Sequence, residues 1–178
     1  MEQVRYRQRN WADAKEIEQF LKNTRTAVVG IQGKEYPYCV PVNHIWQNQA
    51  IYFHGMGSGK KTELLKENPG VCITVYEEMG TVRDAVPCHA DTSYKSVMIF
   101  GPAVKVSDHK EAAEALQAIV DKFLPDFYKS VIKPELAQNY RSSHDNKGVA
   151  VYKVIPEIMT AKHNTADPEQ IYRPKHGG

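Results

Sequence analysis

The spacing of apolar residues changes period several times along the chain. Trp11, Ala14, Ile17, Phe20 and Leu21 recur at helical spacing, which predicts an amphipathic helix over about 11–22. Asn10 offers its N-cap, with Asp13 three residues on. Residues 26–31, Thr-Ala-Val-Val-Gly-Ile, then read as a short β-branched strand, and Gly33-Lys34 as a turn. Residues 36–46 are rich in aromatic and branched side chains but carry Pro37 and Pro41. Prolines so placed suit an edge strand or a bulge, because they cannot donate to a ladder. Gln47-Asn48-Gln49 reads as a hairpin turn, after which Ile51-Tyr52-Phe53 resumes the strand pattern. Three strands joined by short polar turns predict an antiparallel meander.

Ser58 is placed to cap a short helix over about 59–67, stopped by Asn68-Pro69-Gly70. Residues 71–76 read as a strand and 78–92 as an irregular loop. Residues 93–106 read as a long strand broken at Gly101-Pro102. Asp108 and Glu111 form a capping-box pattern. Ala112, Ala115, Leu116, Ile119, Val120 and Phe123 follow at helical spacing up to Pro125. Pro134 suits the first turn of a short helix. Residues 148–155 and 158–162 read as closing strands, and the polar chain from about 165 as a loose tail. Seven strands linked mostly by turns predict an α+β fold, an antiparallel sheet or barrel with peripheral helices. Strand and helix do not alternate as a doubly wound fold requires. With neither a repeat nor a dividing linker, one domain over 1–178 is expected.

Composition narrows the function classes. The chain has 178 residues, 42% hydrophobic and 25% charged, with a net charge of +2, so nothing global points to nucleic acid. No apolar run approaches the roughly 20 residues a membrane span needs. The first residues, MEQVRYRQRNW, lack the apolar core of a signal peptide. Cys39, Cys72 and Cys88 are odd in number and form no CxxC, which argues against a disulfide framework or a thiolate zinc site. A cytoplasmic protein with reduced thiols is expected. Cys88-His89-Ala90-Asp91 is too tightly spaced for a usual chelate, so no metal is expected. Arg5, Arg7 and Arg9 are either a solvated arm or a groove for an anionic partner.

Three segments carry candidate chemistry. His54-Gly55-Met56-Gly57-Ser58-Gly59-Lys60-Lys61 follows a strand and opens a helix. Glycines admit close backbone approach, free helix N–H groups attract anions, and the lysines add charge, so the segment suits a phosphate. A simple corner with solvated lysines is the alternative. It is not a P-loop, because His54 stands where a glycine is required and Lys61 where Ser or Thr is. Tyr38-Cys39-Val40-Pro41-Val42-Asn43-His44 can present backbone groups to a flat ligand, or be a bulged edge strand. Ser93 and Ser96 flank Tyr94 at a strand start, where their hydroxyls serve either a ligand or the strand. No GxSxG elbow marks a hydrolase nucleophile.

Together these segments resemble the pyridoxamine 5′-phosphate oxidase-related flavoproteins, which form an FMN-binding split β-barrel, and within them the 5-nitroimidazole resistance proteins. The matching residues are Tyr38-x-Val40-Pro41-Val42-Asn43, Ile51-Tyr52-Phe53-His54-Gly55, Gly59-Lys60-Lys61 with Leu64 and Asn68-Pro69, and Tyr94-x-Ser96-Val97 with Gly101. The resemblance spans about 1–160. It implies that Val40, Pro41, Val42 and Asn43 line the isoalloxazine, with Tyr94, Ser96 and Val97 joining the flavin site. It also implies that His54 and Gly55 contact the flavin, that Lys60 and Lys61 hold its phosphate, and that His54 is a catalytic proton donor. FMN is the implied cofactor, with FAD possible, and two subunits are implied to share each flavin pocket. The implied activity is reduction of a small electron acceptor such as a nitroaromatic. Lys-Lys stands where the oxidase has Arg-Lys, Ser96 stands where it has Gln, and its C-terminal arginine-rich substrate motif has no counterpart. Oxidation of pyridoxamine phosphate is therefore not implied. The alternatives are a non-catalytic flavin binder and a heme-binding split barrel with His44, His54 or a C-terminal histidine as axial ligand.

Overall fold

The computed structural model describes residues 4–143 and 146–173. Strand β1 (Thr26–Ile31) buries every second side chain, Ala27, Val29 and Ile31. It lies between β2 (Tyr38–Gln47) and β4 (Gly70–Val82), antiparallel to both. β3 (Ala50–Met56) pairs with β2 on one side and with β6 (Val149–Val154) on the other. β5 (Asp91–Lys105) pairs with both β4 and β6. The pairings therefore run round a ring, β1–β2–β3–β6–β5–β4 and back to β1. β7 (Ile158–Asn164) is added outside it on β5. This is an antiparallel split β-barrel.

One register row shows how the core is made. Val42, Ala27, Val75, Val97 and Ala161 stand opposite one another across five strands, and all five are buried. Residues of one parity on each strand face the barrel interior, which contains Ile51, Phe53, Ile73 and Ile99. Each such fully buried side chain contributes roughly 1.5–3 kcal/mol. Helix α1 (Ala14–Asn23) covers one end of this core with Ile17, Phe20 and Leu21. A second cluster lies outside the barrel wall, where Ile45, Tyr52 and Val151 meet Ala112, Ala115 and Ile119 of α3 (His109–Phe123). Helices α2 (Lys60–Glu67) and α4 (Pro134–Asn139) complete the set. No helix among the described residues is long and apolar enough to cross a membrane.

Several local expectations change. The cap of α1 is Asp13, whose carboxylate accepts from the Lys15 and Glu16 N–H groups. Asn10 instead forms an isolated bridge to Lys162, and Trp11 donates its N–H to the Ala161 carbonyl before the helix starts. Helix α2 is capped by Gly59 at φ +97°, not by Ser58. The capping box at α3 is only half made. Asp108 accepts from the Lys110 N–H, but the Glu111 carboxylate goes to the Tyr52 hydroxyl and Lys153. Residues 78–92 are not a loop throughout, because β4 continues to Val82 and β5 begins at Asp91. That extension is exposed and carries a register shift at Glu78/Gly80, so it lacks apolar alternation. β5 is unbroken at Gly101-Pro102; what changes there is its partner, β7 up to Phe100 and β6 from Ala103. A Cβ on Gly101 would stand 2.6 Å from the Ile155 carbonyl oxygen, so only glycine fits this crossover. The expected loose tail is tied down as far as Tyr172, through Arg83 N–H to Gln170 and Tyr172 N–H to Thr81. Residues 174–178 lie outside the described residues. The N-terminal arm is not wholly solvated either, since Arg9 pairs with Asp91 at 2.5 Å.

Candidate functional site

The β2–β3 ladder stops at His44↔Phe53, while β2 stays paired to β1 from Asn43 back to Tyr38. The barrel wall therefore parts between residues 38–43 and the end of β3. The His44 N–H points to the Arg25 carbonyl on the β1 side. By the alternation of an antiparallel ladder, positions 39, 41 and 43 turn their backbone groups to the open edge. Pro41, which has no N–H to offer, is accommodated there. Val40 and Val42 pack with the barrel core, whereas Pro41 and Asn43 are exposed on the outer face. Of the four predicted residues, Pro41 and Asn43 thus turn their backbone to the open edge, while Val40 and Val42 turn theirs to β1 and their side chains to the core.

On the other side of the gap, β3 ends in His54, Gly55 and Met56, held by β6 through His54↔Val151 and Gly55↔Ala150. Gly57 donates its N–H to the Gly148 carbonyl at 2.9 Å. A Cβ on Gly57 would come within 2.6 Å of that oxygen, so this approach demands glycine. The chain then enters α2, whose Thr62 hydroxyl donates back to the Met56 carbonyl at 3.2 Å.

The two lysines at the start of α2 stand on either side of the gap. Lys60 Nζ lies 5.3 Å from the Tyr38 ring centroid on β2. Lys61 Nζ lies 5.6 Å from the Phe53 centroid on β3 and fills the space a Cβ on Gly55 would take. No acid pairs with either lysine among the described residues. Burial lowers the Lys61 pKa below the usual lysine value. His54 is also pushed below 6.5, first by burial and then by the Lys61 charge. The His54 Nδ1 is buried with no hydrogen-bond partner. A cationic pair, an orphaned ring nitrogen and an unpaired strand edge thus converge at one opening. Tyr38 and Phe53, over which the lysine heads sit, were not singled out for this part by their sequence context alone.

β5 pairs with neither strand of the gap: β1 and β4 stand between it and β2 one way round the ring, and β6 stands between it and β3 the other way. Val97 is fully buried in the barrel core. Tyr94 packs near Tyr76, with centroids 6.1 Å apart, and Ser96 stands opposite Tyr76 and Lys162. The Ser93 hydroxyl donates to the Asn164 carbonyl, a structural contact between β5 and β7. His44 is fully buried, and its Nε2 meets the Leu21 carbonyl at 3.1 Å, so it is not offered to an axial ligand position. Burial, with Lys122 nearby, lowers its pKa to about 4. Among the described residues, no three metal-ligating side chains gather.

The sequence pattern of the pyridoxamine 5′-phosphate oxidase family matches residues 13–163. The chain belongs to this family. Among solved structures it is similar to a flavocytochrome from Azotobacter vinelandii, with TM-score 0.74 and 24% identity, covering 94% of this chain and 76% of that one. It is also similar to a candidate 5-nitroimidazole antibiotic resistance protein from Bacteroides thetaiotaomicron, with TM-score 0.66, 28% identity and coverage of 86% and 85%. A third likeness is to an FAD- and heme-binding protein from Mycobacterium smegmatis, with TM-score 0.71, 15% identity and coverage of 89% and 74%. A comparison with curated proteins finds no match.

Proposed function

We propose that the protein binds a flavin phosphate at the parting of β2 and β3 and acts as a reductase of small electron-accepting compounds, nitroaromatics among them. The observation that carries this reading is the position of Lys61, unpaired with any acid among the described residues, against Gly55 and beside the orphaned His54 Nδ1. A phosphate dianion there would meet two lysines and the free N–H groups of the first turn of α2. The open edge at 39–43 offers backbone donors and acceptors to the rim of a planar ring. A bound flavin supplies electron transfer that side chains cannot perform. The chain's own part is to seat the phosphate, shield the ring and manage protons.

His54 is assigned the proton role. In the ligand-free protein its imidazole is neutral at pH 7, because burial and Lys61 disfavour the charged form. An anion between Lys60 and Lys61 would offset the Lys61 charge and raise its proton affinity. Its Nδ1 could then hold a proton for an acceptor at the gap.

A homodimer goes with this reading. Tyr94 and Ser96 lie on β5, which pairs with neither β2 nor β3, so a second copy is the proposed source of the β5 side chains at each flavin. The outer sheet face exposes Val28, Tyr76, Met98 and Ile158, an apolar surface suited to a second copy. Such a copy would set its Tyr94 and Ser96 across the gap. FMN is the proposed cofactor, and a cytoplasmic location is proposed with it.

An FMN titration followed by flavin fluorescence tests the phosphate seat. Lys60→Ala/Lys61→Ala should keep its fold by circular dichroism and bind FMN at least tenfold more weakly. Unchanged FMN affinity in the folded double variant would overturn the assignment.

A further inference from the structure

We infer that the cleft behind the glycine loop is a second anion site, built to hold the adenosine diphosphate portion of a dinucleotide. The inference rests on the flavin reading above. The cleft has a volume of about 630 Å³ and lies between the start of α3, α4 and the segment around Gly148. Ligand sites commonly occupy roughly 300–1,000 Å³. Among the described residues its lining carries Lys105, His109, Arg141 and Lys147, and no Asp or Glu. Its floor is apolar, with Ala112, Ala137, Val149 and Val151. A cationic rim over an apolar floor matches a ligand with a charged diphosphate and a flat base.

The arrangement is held in place. Arg141 Nη1 donates to the Gln138 and Tyr140 carbonyls at 3.0 and 2.8 Å, which fixes the guanidinium. That nitrogen lies 3.7 Å from where a Cβ on Gly148 would be, so the guanidinium rests against a glycine. The same Gly148 carbonyl holds the Gly57 N–H. Gly57 is thus a wall of the cleft, three residues before Lys60. The floor residue Val151 is the cross-strand neighbour of His54. The loop from Gly55 to Lys61 therefore has the lysine pair at one end and the basic cleft at its back. A second phosphate, linked to one seated by Lys60 and Lys61, needs cations at such a place.

Two dinucleotides carry this chemistry: FAD, through its adenylate arm, and a nicotinamide dinucleotide that donates electrons. Calorimetric titration of the FMN-loaded full chain with ADP tests the site. We expect ADP to bind, and Lys105→Ala/Arg141→Gln to weaken it at least tenfold while FMN affinity stays within twofold. The exposed Lys105→Glu, which leaves the Arg141 contacts alone, should weaken ADP similarly. If the source is FAD, ADP fails to bind FAD-loaded protein, and the double variant loses affinity for FAD but not FMN. If it is a nicotinamide dinucleotide, ADP displaces it from FMN-loaded and FAD-loaded protein alike. Absence of ADP binding, or binding unmoved by both variants, overturns the proposal. Should the chain take up no FMN, variant-sensitive ADP binding to the flavin-free chain would still support the cleft, and only the flavin reading would fall.

Discussion

Lys61 and Gly55 are complementary: the ammonium occupies the volume that any side chain at position 55 would need. The obstructing atom is the far end of a flexible side chain, so Gly55→Ala displaces a charge more than it disturbs the fold. Thermal unfolding of Gly55→Ala should shift by no more than a few degrees, while FMN affinity falls about tenfold. A large loss of stability with unchanged affinity would mean that the glycine serves packing alone.

His54 should respond to the same charge. Its pKa lies below 6.5 through burial and Lys61. Titration of the His54 ring protons by NMR should show an upward shift in Lys61→Met, and a second upward shift when FMN binds to the wild type. No movement in either case would separate the two side chains and remove the basis for a proton role. His54→Gln should retain FMN and lose about 10²-fold or more in turnover of a nitroaromatic acceptor.

Much of this site was legible because the glycines, the lysine pair and the Val40-Pro41-Val42-Asn43 run sit at the junctions of short elements. Pro41 marked an edge, and the edge is real: β2 has no β3 partner from residue 43 back to 38. Alternation puts Val40, Val42 and His44 on one side of the strand, as found, but sequence could not reveal what closes over that side. Nor could it put Tyr94 and Ser96 on a strand that pairs with neither β2 nor β3, because strand order is a long-range property. The extension of β4 past Tyr76 escaped detection for a different reason. Glu77, Glu78 and Thr81 are exposed or nearly so, and a ribbon pairing outside the core leaves no apolar period.

Acid stability should depend on His44. Its pKa is about 4 in the fold, against 6.5 for the free side chain. Between those values the unfolded chain takes up a proton that the native state refuses, so stability falls as pH drops from 6.5 to about 4. The loss amounts to about 3 kcal/mol for this fully buried ring. Lys122, whose ammonium donates to the Thr24 and His44 carbonyls, contributes to that depression. Urea unfolding across this range should show a shallower acid decline in Lys122→Met than in the wild type. An identical pH slope would show that burial alone sets the His44 value.

Glu111 links the helix to the barrel wall. It accepts from the Tyr52 hydroxyl and from Lys153 Nζ, both at 2.8 Å, and these contacts hold its pKa below the usual carboxylate value. Glu111→Ala leaves the buried Tyr52 without that partner and should cost about 1–3 kcal/mol at neutral pH. The cost should shrink as pH falls through the lowered Glu111 pKa, since the protonated acid no longer holds Lys153. A pH-independent difference in chemical denaturation would contradict the ion-pair contribution.

The visible absorption spectrum of the purified protein tests the central claim most directly, followed by chromatography of the chromophore released on heating. Flavin bands that vanish in Lys60→Ala/Lys61→Ala are the expected result, and the released compound distinguishes FMN from FAD. A protein that is colourless and also fails to take up added flavin would contradict the account.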